Sequence, residues 1–95
     1  MNVKLAGEYT ILKNKKSGDM LIEDISMAGV GFVNMSVHQL FIGQKLELNF
    51  KLDDAGRTQV SRKAKIISLN GTDIGAEFVE HNSYEKTLGF YLKHL

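Results

Sequence analysis

The sequence predicts a mainly β domain of about six antiparallel strands, in a barrel or a twisted sandwich, followed by one C-terminal helix. Three observations predict it. Apolar and polar residues alternate with a period of two in most segments. Turn-forming clusters separate those segments at hairpin length. Only after about residue 80 does the apolar spacing lengthen to that of a helix. The chain has 95 residues, no Pro and no repeat or linker-like stretch. It therefore reads as one domain over residues 1–95, with strands across about 2–80 and a helix across about 83–94.

The elements follow in order. Val3, Leu5, Gly7, Tyr9 and Ile11 alternate with Lys4, Ala6, Glu8 and Thr10, the pattern of a half-buried strand. Asn14 to Gly18 is a polar turn, and Met20 to Ile25 is a second strand. Ser26 to Gly29 interrupts the pattern before a third strand, Val30 to Met35. Ser36 to Gly43 is a connection whose Leu40, Phe41 and Ile42 are expected to pack over the sheet. Leu46, Leu48, Phe50 and Leu52 alternate with Glu47, Asn49 and Lys51, the cleanest strand in the chain. Asp53 to Gly56 turns the chain into a long strand, Thr58 to Leu69, with a bulge expected near Arg62 to Lys65. Asn70-Gly71 signals a type I′ hairpin, and Ile74, Ala76 and Phe78 mark the last strand. Tyr84, Leu88, Tyr91, Leu92 and Leu95 then fall at helical spacing. Asn82 with Glu85 three residues later has the form of a capping box.

Composition narrows the function. Twelve basic and eleven acidic residues leave the charge near zero, so a nucleic-acid polymer is not indicated. No Cys is present, which excludes disulfides, thiolate nucleophiles and Cys-ligated metals. The N-terminus lacks the apolar run of a signal peptide, and no stretch approaches a membrane span, so no membrane insertion is expected. A soluble, cytoplasmic domain is the expectation.

Catalytic constellations are missing. His38, His81 and His94 have no partners at metal-ligand spacing, and no metal or cofactor is expected. Glu23-Asp24 are neighbours on a strand, so they are expected to face opposite ways and not to form a dyad. Asp53-Asp54 reads as a solvated turn. Ser26 has no adjacent base and no G-x-S-x-G around it. A binding module, not an enzyme, is the consequence. An OB-like nucleic-acid binder would need aromatic stacking platforms beside basic residues, whereas Phe32, Phe50 and Phe78 occupy strand positions suited to a core.

One segment stands apart: Asp24, Ser26 and Gly29 interrupt a strand that then resumes. As a turn, Asp and Ser bond local amides and Gly supplies a positive φ. As a binding element, amides around a Gly-bearing turn cup an oxygen, and a carboxylate accepts from the N–H donors of a guanine edge. On spacing alone the turn is the stronger reading.

The order of motifs adds to this. Asp24-x-Ser26-x-x-Gly29 resembles the D/N-x-S-x-x-G signature of the PilZ domain, a bacterial receptor module for cyclic di-GMP. Gly43 to Phe50 is similar to that family's Gly-initiated strand. Ala64-Lys65-Ile66 is similar to its Ala-x-Val/Ile element, and Ile74-Gly75-Ala76-Glu77-Phe78 to its Ile-Gly-x-x-Phe strand. The resemblance covers essentially the whole chain. It implies a six-stranded antiparallel barrel with the C-terminal helix laid against one opening. It also implies cyclic di-GMP as ligand, with Asp24 on a guanine edge, Ser26 on phosphate or base, and Gly29 allowing close backbone approach. The chain departs from the family in one respect. PilZ receptors carry an R-x-x-x-R arm ahead of the first strand, and here only Met1 stands there; Arg57 and Arg62 lie far downstream. Lysine replaces a planar guanidinium poorly, and Lys4 reads as an exposed strand residue. Two functions follow: a cyclic di-GMP sensor that binds weakly as the chain stands, or a PilZ-like adaptor that acts through a protein partner. The resemblance sets either in motility, pilus or exopolysaccharide control.

Overall fold

The computed structural model of the chain describes residues 1–79. The helix expected over residues 83–94, with Leu88 and Leu92 buried and His81 and His94 beside it, lies outside the described residues.

Six strands form: β1 (Asn2–Ile11), β2 (Ser17–Ile25), β3 (Gly29–Asn34), β4 (Lys45–Lys51), β5 (Gln59–Asn70) and β6 (Asp73–Phe78). All pair antiparallel and close into a barrel in the order β1-β2-β3-β6-β5-β4. Closure removes both sheet edges, so every strand has a neighbour on each side.

Alternation fixes which side chains fill the barrel. Leu5, Tyr9 and Ile11 of β1 and Leu46, Leu48 and Phe50 of β4 are buried, as are Ile66 and Phe78. Their polar neighbours face out. The Tyr9 and Phe32 rings meet at 6.1 Å between centroids, tilted by 34°. Arg62 also points inward, between Val60 and Ala64, with no exposed surface. Its guanidinium lies 4.2 Å from the centre of the Phe78 ring, a cation–π contact in a desolvated setting.

Four local features differ from the sequence-based expectations. The β5 bulge falls at Ile67, between Ile66 and Ser68, not near Arg62 to Lys65. Arg62 holds the inward register, so no switch of face is needed there. A second bulge lies in β2 between Ile22 and Asp24. It inserts Glu23 and breaks strict alternation, so Glu23 and Asp24 are both exposed instead of facing opposite ways. The β5–β6 hairpin is where it was expected, but Asn70 still pairs with Asp73, and the loop is Gly71-Thr72. Gly71 alone has a positive φ, 62°, which is the glycine-first pattern of a type II′ turn, not type I′. In the β3–β4 connection only Leu40 packs into the core; Phe41 and Ile42 remain exposed.

The strand order gives the barrel two distinct ends. One carries the β2–β3 turn, the β4–β5 turn, Met1 and Val79. The other carries the β1–β2 and β5–β6 turns and the β3–β4 connection.

Candidate functional site

The segment Asp24 to Gly29 closes the first of these ends. Met1 is tied to it: its ammonium lies 2.9 Å from Asp24 Oδ1 and donates to the Ile25 carbonyl at 2.9 Å. The Ile25 amide returns a bond to the Met1 carbonyl at 3.0 Å. The start of β1 is thus fixed beside Asp24, whose side chain is 63% exposed.

Ser26 organises the turn. Its Oγ accepts from the amides of Ala28 and Gly29 at 3.2 and 3.3 Å. Its own amide donates to Gly29 O at 2.9 Å. Those two amides are committed to the serine oxygen, so they do not form an anion cup. The hydroxyl hydrogen has only a 3.5 Å approach to Gly29 O, at the limit of a useful bond. It remains a donor for a ligand.

Gly29 has no positive φ. The turn requires a glycine there for a different reason. A Cβ would drive into the Ala76 carbonyl oxygen and sit 2.9 Å from Glu77 Cα, both on β6. The Ala28 carbonyl accepts from the Phe78 amide at 2.8 Å, locking the turn to β6 at this close approach.

These residues line one open groove of about 320 Å³ on the outer face of β2, β3, β6 and β5. Asp24, Ser26 and Gly29 share it, so the three residues singled out in the sequence are brought together. Sequence reasoning missed the rest of the groove. Gly31 and Gly75 pair across β3 and β6 on its lining; the Ser68 side chain covers Gly75, while Gly31 has only Asp24 Cβ near. Ile67, which follows inward-facing Ile66 at the β5 bulge, forms the opposite wall. Gly75 was visible in the last strand; Gly31 and Ile67 were not singled out, although alternation from Val60 to Ile66 puts Ile67 on the outer face. Charged side chains on the lining are Asp24 and Glu77, with no Lys or Arg among them, and the Met1 ammonium pairs with Asp24. Arg57 lines a separate cavity with Lys4, Lys51 and Asp53, on the β1–β4 side of the barrel.

No group of three or more His, Asp or Glu side chains suited to a metal exists among the described residues. His38 places Nε2 2.9 Å from the Ser17 carbonyl, which assigns that nitrogen the proton and makes the ring a loop fastener.

The chain is thus a closed antiparallel barrel with a shallow groove on its outer face, walled by the β2–β3 turn. The family model for the PilZ domain matches residues 3–93, and the chain belongs to that family. The solved PilZ domain of CeSA from a cellulose-synthesizing bacterium has the same fold. Its TM-score is 0.77 at 17% sequence identity, covering 99% of this chain and 97% of that one. No curated protein sequence matches the chain. PilZ domains in general bind cyclic di-GMP.

Proposed function

We propose that this chain is a cytoplasmic cyclic di-GMP receptor domain whose ligand sits in the groove beside Asp24. The observation that carries the reading is the groove itself: Asp24, Ser26 and Gly29 line it together. In this role the Asp24 carboxylate accepts from a guanine edge. The Ser26 hydroxyl donates to phosphate or base, and Gly31 lets a flat ring approach the backbone.

Binding by this chain alone is weak. Among the described residues the groove lining has two carboxylates and no Lys or Arg, and the Met1 ammonium beside it is already paired with Asp24, which disfavours a dianionic ligand. A hydrogen bond to a charged group contributes about 1.5–3 kcal/mol. Two missing arginines therefore cost roughly 3–6 kcal/mol, or about two to four decades in Kd. A segment placed ahead of β1 begins beside Asp24, because the Met1 ammonium lies 2.9 Å from that carboxylate. Titration calorimetry on three polypeptides tests this. The chain itself binds cyclic di-GMP weakly or undetectably. The chain extended by R-x-x-x-R ahead of Met1 binds tightly, and Asp24→Ala in the extended form loses that binding. Tight binding by the bare chain would place the ligand elsewhere.

The same acidic lining favours a second reading, a PilZ-like adaptor acting through protein contacts. An extended chain that folds but does not bind nucleotide would establish it over the first.

A further inference from the structure

Among the described residues, the end of the barrel away from the groove carries exposed apolar side chains. In the β3–β4 connection Val37 is 97% exposed, Ile42 65% and Phe41 53%. This connection is not slack. The Tyr9 hydroxyl donates to Asn34 Oδ1 at 2.9 Å, and Asn34 Nδ2 donates to the His38 carbonyl at 2.8 Å. His38 is fastened to Ser17, and the Phe41 amide donates to Gln44 Oε1 at 2.8 Å. Leu40 is buried beneath, and Gly43 donates to the Ile66 carbonyl. The apolar side chains are therefore displayed at fixed positions in water, an arrangement that marks an interaction site.

A cleft of about 580 Å³ opens beside them. Ile11, Leu12 and Ile42 line it, and Lys13 and Lys45 stand among them. No acidic residue is on that lining among the described residues. An apolar hollow flanked by cations is complementary to an apolar side chain flanked by carboxylates. The closed barrel offers no free strand edge, so a partner cannot dock by adding a strand. It must insert side chains. The hollow is concave, which suits a protein segment better than a flat lipid surface.

We propose that this end of the barrel is a docking surface for an acidic, apolar-anchored segment of a partner protein. The surface is separate from the groove, and the proposal stands whether or not nucleotide binds there.

A labelled peptide alternating Leu with Glu serves as the probe, read by fluorescence anisotropy against the full chain. Peptides of Leu with Lys and of Ser with Glu are the controls. The Leu-Glu peptide binds at micromolar concentrations, weakens as salt rises, and exceeds both controls by about tenfold or more in Kd. Its amide shift changes fall on residues 11–13 and 41–45. Lys13→Glu combined with Lys45→Glu reverses the preference toward the Leu-Lys peptide. Ile42→Asp, or the milder Ile42→Ser, loses binding while the melting temperature stays put. Absence of Leu-Glu binding by the unaltered chain overturns the proposal, as does an unchanged preference after charge reversal. Two other outcomes overturn it by naming another occupant. One is capture by phosphatidylglycerol vesicles without peptide binding. The other is concentration-dependent shifts at the same residues in the bare chain, which mark a second copy.

Discussion

A methyl group at Gly29 tests the account of the binding turn, because the structure predicts opposite results at two glycines of one strand. In Gly29→Ala the new Cβ meets the Ala76 carbonyl oxygen and the Glu77 Cα at 2.9 Å. Both are backbone atoms and cannot rotate away. β3 must move off β6 where the Phe78 amide bonds the Ala28 carbonyl. Overpacking of this kind costs about 1–3 kcal/mol. Weakening that hydrogen bond adds about 1 kcal/mol. A total of about 3 kcal/mol corresponds to a fall in Tm of roughly 12–24 °C for a domain of this size. In Gly31→Ala, two residues along, the Cβ meets only Asp24 Cβ at 3.6 Å, an ordinary contact. Its Tm stays level or rises slightly, because alanine restricts the unfolded chain. Thermal melts of the two variants by circular dichroism measure the contrast. Equal Tm values, or a Gly29→Ala protein as stable as the parent, would refute the close-approach argument.

Two further predictions concern pH. The Asp54 carboxylate accepts from the Thr58 amide at 2.9 Å and the Thr58 hydroxyl at 2.7 Å. Those bonds hold its pKa below the usual carboxylate value. Its stabilising effect is complete above about pH 4 and is lost as pH falls through the lowered folded value. Urea melts of the parent and Asp54→Asn should therefore differ at neutral pH and converge in strong acid; a constant gap refutes the assignment. Burial pushes the Tyr9 phenol above its usual pKa, against the lowering effect of its hydrogen bonds to Ser36 and Asn34. The folded state keeps the proton, so stability holds up to about pH 10 and falls as pH rises through the folded value. Tyr9→Phe costs about 1 kcal/mol at neutral pH through the lost bond to Asn34. It also flattens the alkaline decline, which denaturant melts across alkaline pH would reveal.

The strands were legible where one face is buried and the other wet. Val3 to Ile11 and Leu46 to Leu52 alternate cleanly because each lines a closed barrel, and their inward residues are the observed core. Bulges were less legible. Ile66 and Ile67 are both isoleucine, so polarity alone does not tell which one faces out. At Glu23-Asp24 two acids in a row hide a bulge that places both outside. Arg62 was misread for the opposite reason. A charge in the inward row suggested a bulge near Arg62 to Lys65, although the spacing Val60-Arg62-Ala64-Ile66 keeps Arg62 on the inner face. Asp54 was read as solvation, yet an Asp four residues before Thr58 is a local hydrogen-bonding signal. Asp24, Ser26 and Gly29 were legible as a set because a turn is a local structure. Gly31 and Ile67 were not, since they join the site only through pairing between distant strands.

Met1 and Val79 flank the same turn: one bonds Ile25, and the other follows Phe78, which bonds Ala28. The polypeptide therefore enters and leaves the barrel through a single doorway, and the Asp24–Gly29 turn is its lintel. A change in that turn therefore reaches both Met1 at the head of β1 and Phe78 at the end of β6 through these backbone bonds.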